Sequence, residues 1–150
     1  MSVNTFLWFE SEAEQAARRY VELVPNSRIV DIARHPDGSA FIVTIDLDGQ
    51  AITLMNGGPG HSLTDAVSIQ LVVDTQEEVD RLWDALTEGG EPGNCGWLTD
   101  RFGLSWQVVP AGLPELMMGD DPVKSAAAGA ALRTMSKLDI KVLRDAYDNA

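Results

Sequence analysis

The chain has 150 residues, 45% of them hydrophobic, a size at which a single domain buries about two thirds of the surface its extended form exposes. Its formal charge of −12 is shared evenly, −6 in each half, so a nucleic acid or an anionic membrane surface would be repelled by most of it. One cysteine, Cys95, excludes an internal disulfide framework. No apolar run reaches the roughly 18 residues of a membrane span, and the opening residues lack the basic start of a signal peptide, so a cytoplasmic location is expected.

The predicted elements begin with a short, aromatic strand over Asn4 to Phe9, followed by Ser11, whose hydroxyl can accept from the free amides of a following helix. That helix runs from about Glu12 to Val24, with Ala13, Ala16, Ala17, Tyr20, Leu23 and Val24 on one stripe, and stops before Pro25. Three strands follow: Arg28 to Arg34, Ala40 to Leu47 and Gln50 to Met55. They are divided by His35-Pro36-Asp37-Gly38 and by Asp48-Gly49, the second a two-residue hairpin signature. Beyond the glycine-rich stretch Asn56 to Gly60, a strand over Val67 to Val73 leads into Asp74-Thr75-Gln76-Glu77, where an acceptor three residues ahead of an acid resembles a capping box. The second helix carries Val79, Leu82, Trp83 and Leu86 on one face and ends at Gly89-Gly90; Gly96 to Thr99 and Leu104 to Val109 are strands. Helical signals at Leu113 to Met118, Pro122 to Met135 and Leu138 to Tyr147 close the chain.

An internal repeat links the halves. An offset of 63 places Ser11 on Asp74, Ala16 on Val79, Tyr20 on Trp83 and Leu23 on Leu86, and an offset of 54 places Gly49 on Gly103, Ile52 on Trp106 and Thr53 on Gln107. A shorter loop in the second half accounts for the change of offset. Strand alternation then separates two faces. Phe6, Trp8, Ile52, Leu54, Ile69, Leu71, Val73, Trp106 and Val108 fall on an apolar face suited to lie beneath the helices. Thr5, Leu7, Phe9, Thr53, Met55, Ser68, Gln70, Ser105 and Gln107 fall on the other, where apolar walls and uncharged hydrogen-bonding groups mix as they do in small-molecule pockets.

The stretches LWFESEAEQAARRYVELVPNSRI at 7–29, LDGQAITLMNGGP at 47–59 and DTQEEVDRLWDALTEGGEPGNCGWLTDRFGLSWQVVP at 74–110 resemble the vicinal oxygen chelate superfamily of glyoxalases, bleomycin-resistance proteins and extradiol dioxygenases, most closely its PhnB-like branch. The resemblance covers most of residues 3–110, and the final KLDIKVLRDAY is similar to the helical end common in that branch. It implies an α+β fold of paired βαβββ modules, about 3–56 and 66–110, forming a curved mixed sheet with helices on its outer face. One domain over 1–110 would be followed by a helical extension over 111–150. It also implies a homodimer, since the family usually completes its sheets or cavities between subunits.

In metal-dependent relatives, the resemblance implies, a divalent ion sits in the concave sheet on a His or Gln and a Glu from each pair of modules. Here the first-strand positions fall at Thr5 and Ser68, and the last-strand positions at Thr53, with Met55 or Asn56 as alternatives in register, and at Gln107. No carboxylate or imidazole is among them, and neutral hydroxyls and amides compensate a divalent charge poorly. No metal cofactor is therefore expected. The expected function is metal-independent binding of a small organic molecule, with a cavity lined by Thr5, Leu7, Thr53, Met55 and Ser68, and by Gln70, Trp97, Arg101 and Gln107. Arg101, in the DRFG turn that borders the cavity in the family pattern, is the candidate anion-binding side chain. The acidic surface favours a cationic or neutral ligand on approach. The alternative is a lyase, isomerase or dioxygenase that recruits a divalent metal through His61, Glu10 or Asp65. A third reading makes the C-terminal helices a docking element for a partner.

Other residues have simpler explanations. His35 precedes a turn, His61 lies in a loop, and Cys95 is an inert thiol with no hydrolase signature around it. The glycines at 57, 58 and 60 lack both the P-loop Lys-Ser/Thr and the dinucleotide spacing, so chain reversal explains them. Some PhnB-like proteins carry a ubiquinone-pathway methyltransferase label. The sequence gives no glycine-rich strand-to-helix turn to hold a nucleoside cofactor.

Overall fold

Two compact units, Met1–Leu63 and Thr64–Ala150, make up the computed structural model, which describes residues 1–150. The first runs β1 (Thr5–Phe9), α1 (Ala13–Leu23), β2 (Arg28–Arg34), β3 (Ala40–Leu47) and β4 (Gln50–Asn56). Its four-stranded sheet has the order β1-β4-β3-β2, with β1 parallel to β4 and the other pairs antiparallel. The second runs β5 (Ile69–Val73), α2 (Gln76–Thr87), β6 (Glu91–Pro92), β7 (Trp97–Thr99) and β8 (Ser105–Pro110), in the order β5-β8-β7-β6 with the same single parallel pair. Helices α3 (Leu113–Met117), α4 (Pro122–Leu132) and α5 (Ile140–Asp148) complete it. These are the α+β class, the paired βαβββ modules and the helical end that the sequence predicts. Strand β6 is the element the sequence misses, because two residues, one of them proline, offer no alternation to read.

The repeat holds where burial enforces it. Ala16 and Val79 are both inaccessible, Tyr20 corresponds to Trp83 and Leu23 to Leu86, and all of these are buried. Asp48 and Gly49 both have positive φ, 48° and 90°, as a tight hairpin matching the strand twist requires, and Asp46 Oδ1 accepts from the Gly49 amide. The helix starts differ from the expectation. Ser11 does not cap α1. Asn56, at the end of β4, accepts from the Ala13 amide at 2.8 Å and donates to the Ala40 carbonyl at 3.1 Å, so one side chain ties α1, β3 and β4 together. At α2 the capping box sits one residue later than predicted, with Thr75 as cap and Glu78 returning the bond.

The sequence also places β1 on the wrong phase. In parallel pairing Leu7 lies beside Leu54 and Phe9 beside Asn56, so Leu7 and Phe9, both buried, share the α1 side of the sheet with Val43, Ile45, Ile52 and Leu54. Phe6, 55% exposed, and Trp8 instead stand beside Thr53 and Met55. The segment Thr-Phe-Leu-Trp-Phe is apolar in both phases, so alternation alone does not choose between them. In the second unit, where Ser68 and Gln70 alternate with Ile69 and Leu71, the predicted phase is the observed one.

The C-terminal helices share a core with β8. Val109, Leu138 and Leu143 form a buried cluster packed by Leu113, Leu116, Ala131, Leu132 and Met135. Backbone amides of Cys95 and Gly96 donate to the carbonyls of Met135 and Ser136, each at 2.8 Å. Gln76, at the start of α2, donates to the Leu138 carbonyl and accepts from the Ile140 amide. No helix of the chain is long and apolar enough to cross a membrane.

Candidate functional site

In the second unit β5, β8 and β7 bring three predicted residues side by side. Gln70 pairs with Gln107 and Gln107 with Trp97 in the strand register, so all three project from the face opposite Ile69, Trp106 and Leu98. The Gln107 amide donates to Ser68 Oγ at 2.9 Å and accepts from the Gln70 amide at 3.3 Å. Next to them a cleft of about 370 Å³ is lined by Asp65, Gly93, Asn94, Trp97, Leu98, Thr99 and Ser105. Thr99 and Ser105 pair in the register two residues along from Trp97 and Gln107, which places them on that same face. Sequence reasoning leaves Thr99 and Asn94 out, although the alternation that selects Trp97 selects Thr99 as well.

In the first unit Thr53 and Met55 share a face with Phe6 and Trp8. Thr53 is buried and accepts from the Asn4 amide at 3.2 Å. Trp8 donates its indole N–H to the Gly58 carbonyl at 2.9 Å, and the His61 ring stands edge-on to it at 4.6 Å. A Cβ on Gly57 would lie 2.3 Å from the Trp8 ring, so the glycine stretch exists to let the backbone pass over an indole, a requirement beyond chain reversal. The remaining predicted residues lie elsewhere. Leu7 belongs to the core beneath α1, and Thr5 pairs with Ile52 and accepts from the Gln50 side chain at 3.3 Å. Arg101 is exposed, with its guanidinium over the Phe102 ring and its stem beside Gly89 at the exit of α2.

Asp100, in the same turn, is 5% exposed. It accepts from the amides of Phe102 and Leu104 at 2.8 and 3.0 Å and from the Trp106 indole at 2.9 Å. It organises the turn and satisfies a fully buried tryptophan. The signal for it lies in the sequence: once Trp106 is assigned to the core, its N–H needs an acceptor.

The family's divalent metal can be tested against these donors. Thr5 and Thr53 do not share a face of their sheet; Phe6, not Thr5, stands beside Thr53, as Gln70 stands beside Gln107. The remaining donors, Ser68, Gln70 and Gln107, are neutral and bonded to one another. No group of three or more His, Cys, Asp or Glu side chains converges anywhere in the chain. A divalent cation held without imidazole or anionic oxygen would keep its charge uncompensated, so this donor set does not fit one.

A larger cleft, about 530 Å³, lies in the first unit between Glu10, Ser11, Glu14, Gln15, Arg18, His35, Ser39, Ala40 and Asn56. Glu14 and Arg18 of its lining are already paired with each other, and Arg34 joins them from β2. Glu14 receives Arg34 and Arg18, each at 2.8 Å, and the hydrogen bonds from Arg34, then Arg18, lower its pKa from 4.5 to about 2. Because the folded value is depressed, the stability it contributes is present above about pH 4.5 and is lost as pH falls toward 2. Both arginines are largely solvated, which limits the gain to about 1 kcal/mol or less. Glu14→Gln is therefore expected to lower Tm slightly at neutral pH and to reduce the further drop on acidification to about pH 3, read by thermal unfolding at both pH values. An equal acid drop in both proteins would contradict this assignment.

Comparison with known proteins agrees with this architecture. A family model described as 3-demethylubiquinone-9 3-methyltransferase matches residues 1–109. A PhnB protein from Bacillus cereus is 30% identical over 74% of this chain and 100% of its own, with a TM-score of 0.69. A protein from Pseudomonas aeruginosa is 21% identical over 73% of this chain and 98% of its own, with a TM-score of 0.57. The fosfomycin resistance protein FosX from Listeria monocytogenes shares the fold at 14% identity, covering 73% and 92% of the two chains, with a TM-score of 0.51. No curated protein matches. With two βαβββ modules, the observed strand orders and a family match over most of its length, the chain belongs to the 3-demethylubiquinone-9 3-methyltransferase family, in the PhnB-like branch of the vicinal oxygen chelate superfamily.

Proposed function

We propose that this chain binds a small organic molecule on the Gln70/Gln107/Trp97 face of its second unit, without a divalent metal, and that it does so as a homodimer. The observation that carries the reading is the Gln107 amide, fixed between Ser68 and Gln70 beside a half-buried indole and a cleft of about 370 Å³. Amides, hydroxyls and an aromatic wall orient an organic skeleton by hydrogen bonding and stacking; they do not supply the Lewis acid of the metal-dependent relatives. Exposed apolar side chains on both sheets, Phe6 at 55% and Val72 at 59%, support a second copy covering part of the sheet surface.

The family description names a methyl transfer. That chemistry needs a place for a nucleoside cofactor, usually a glycine-rich turn opening a helix at the end of a parallel strand. In this chain the glycine stretch at 57–60 is packed on Trp8, and the residues after it lead to β5 with no helix between. Binding without methyl transfer is the reading these features favour.

Native mass spectrometry of the purified chain tests the proposal. It is expected to give twice the 16.3 kDa chain mass plus a small organic adduct. In Gln107→Ala the adduct should weaken about tenfold, equivalent to about 1.4 kcal/mol, from the loss of one oriented amide. A monomer would contradict the dimer. An adduct held equally by Gln107→Ala would contradict the site.

A further inference from the structure

Resting on that binding site, we propose that its ligand carries a cationic nitrogen, a protonated amine or quaternary ammonium, received by the Trp97 ring and the Asp65 carboxylate. The cleft beside the glutamine pair has apolar and neutral walls, and Asp65 is the one ionisable side chain among its lining residues. Asp65 sits in the turn where the Thr64 carbonyl accepts from the Val67 amide and Thr64 Oγ1 from the Ala66 amide. That turn holds the backbone and leaves the carboxylate without a protein cation.

A second, independent feature points to a ligand. Ser105 is 2% exposed, lines the cleft, and its hydroxyl has no protein hydrogen-bond partner. The residue is otherwise enclosed, so its free hydroxyl is reachable only from the cleft, and a polar group on a bound molecule would complete it. Trp97 offers the aromatic face that attracts cations most strongly, and pairing an indole with a carboxylate is how ammonium groups are held without a metal.

The charge environment decides the sign. No lysine, arginine or histidine lines the cleft, and Arg101, the cation nearest in sequence, lies beside Gly89 at the exit of α2. An anionic ligand would meet Asp65 with nothing to neutralise it, on a chain of net charge −12. A neutral ligand could reach the carboxylate only through a hydrogen bond, without the charge attraction that a cation gains. A cation uses Asp65 for charge, Trp97 for its face, and Ser105 or Thr99 for a hydroxyl or ether oxygen on the same molecule.

The test compares choline, its neutral isostere 3,3-dimethylbutan-1-ol and anionic 3,3-dimethylbutanoate, titrated into the full chain while the indole N–H resonances are followed by NMR, with Trp97 assigned through Trp97→Phe. Choline is expected to shift the Trp97 resonance and to bind about tenfold more tightly than the alcohol, with the carboxylate weakest. Asp65→Asn, an exposed substitution that leaves the fold alone, should bring choline and the alcohol within about twofold of each other. Equal binding of choline and alcohol by the parent chain, or no choline binding at all, would overturn the cation assignment. If Gln107→Ala still weakened the copurifying adduct in either case, the binding site itself would stand; if that adduct were also unaffected, both would fall.

Discussion

Asp100→Ala is expected to destabilise the chain by about 3–5 kcal/mol, the largest effect of any single substitution considered for this fold. The substitution removes an acceptor that serves two turn amides and the indole of Trp106, and Trp106 is completely buried. A buried N–H left without a partner costs about 1–3 kcal/mol, and the turn amides lose charge-assisted bonds besides. Asp100→Asn keeps one oxygen for the turn amides but turns an amide donor or a weaker acceptor toward the indole, so about 1–2 kcal/mol is expected. Urea denaturation followed by tryptophan fluorescence measures both. A value for Asp100→Ala within about 1 kcal/mol of the parent would show that the indole finds another acceptor.

A chain ending at Pro110 is expected to lose several kcal/mol in its second unit and to expose apolar surface. Leu138 and Leu143 are fully buried against Val109, and burial of a leucine side chain is worth about 1.5–3 kcal/mol. The amides of Cys95 and Gly96 and the Gln76 side chain would lose partners to water, so each of those bonds counts for only about 0.5–1.5 kcal/mol. Release of the entropy spent on ordering three helices offsets part of the sum without cancelling it. Denaturation midpoints and binding of a hydrophobic dye check this. Unchanged midpoints would support the reading of these helices as a free docking element; a large loss means they complete the core.

How much of this was legible in the sequence depended on whether burial left a one-sided record. Tyr20 and Trp83, Leu23 and Leu86, and the Asp48-Gly49 hairpin are readable because helical spacing and positive φ constrain residue type directly. The phase of β1 is not, since Phe6, Leu7, Trp8 and Phe9 are apolar on both sides and only the pairing with β4 decides which face meets α1. The cap of α1 is not either, because its acceptor, Asn56, arrives from 43 residues away. For the site, alternation placed Ser68, Gln70 and Gln107 together, and the bonds among them follow. It could not place Arg101, whose direction is set by the turn that Asp100 organises, nor reveal that Asp65 closes one side of the cleft beside Trp97.

The neutrality of the Ser68, Gln70 and Gln107 donors is the claim on which the functional account turns, and metal content tests it most directly. Elemental analysis of the purified chain, followed by thermal unfolding with added manganese, iron(II), nickel and zinc, is expected to show far less than one metal per chain and no rise in Tm. One tightly held ion per chain, raising Tm and lost in Gln107→Ala, would contradict the account.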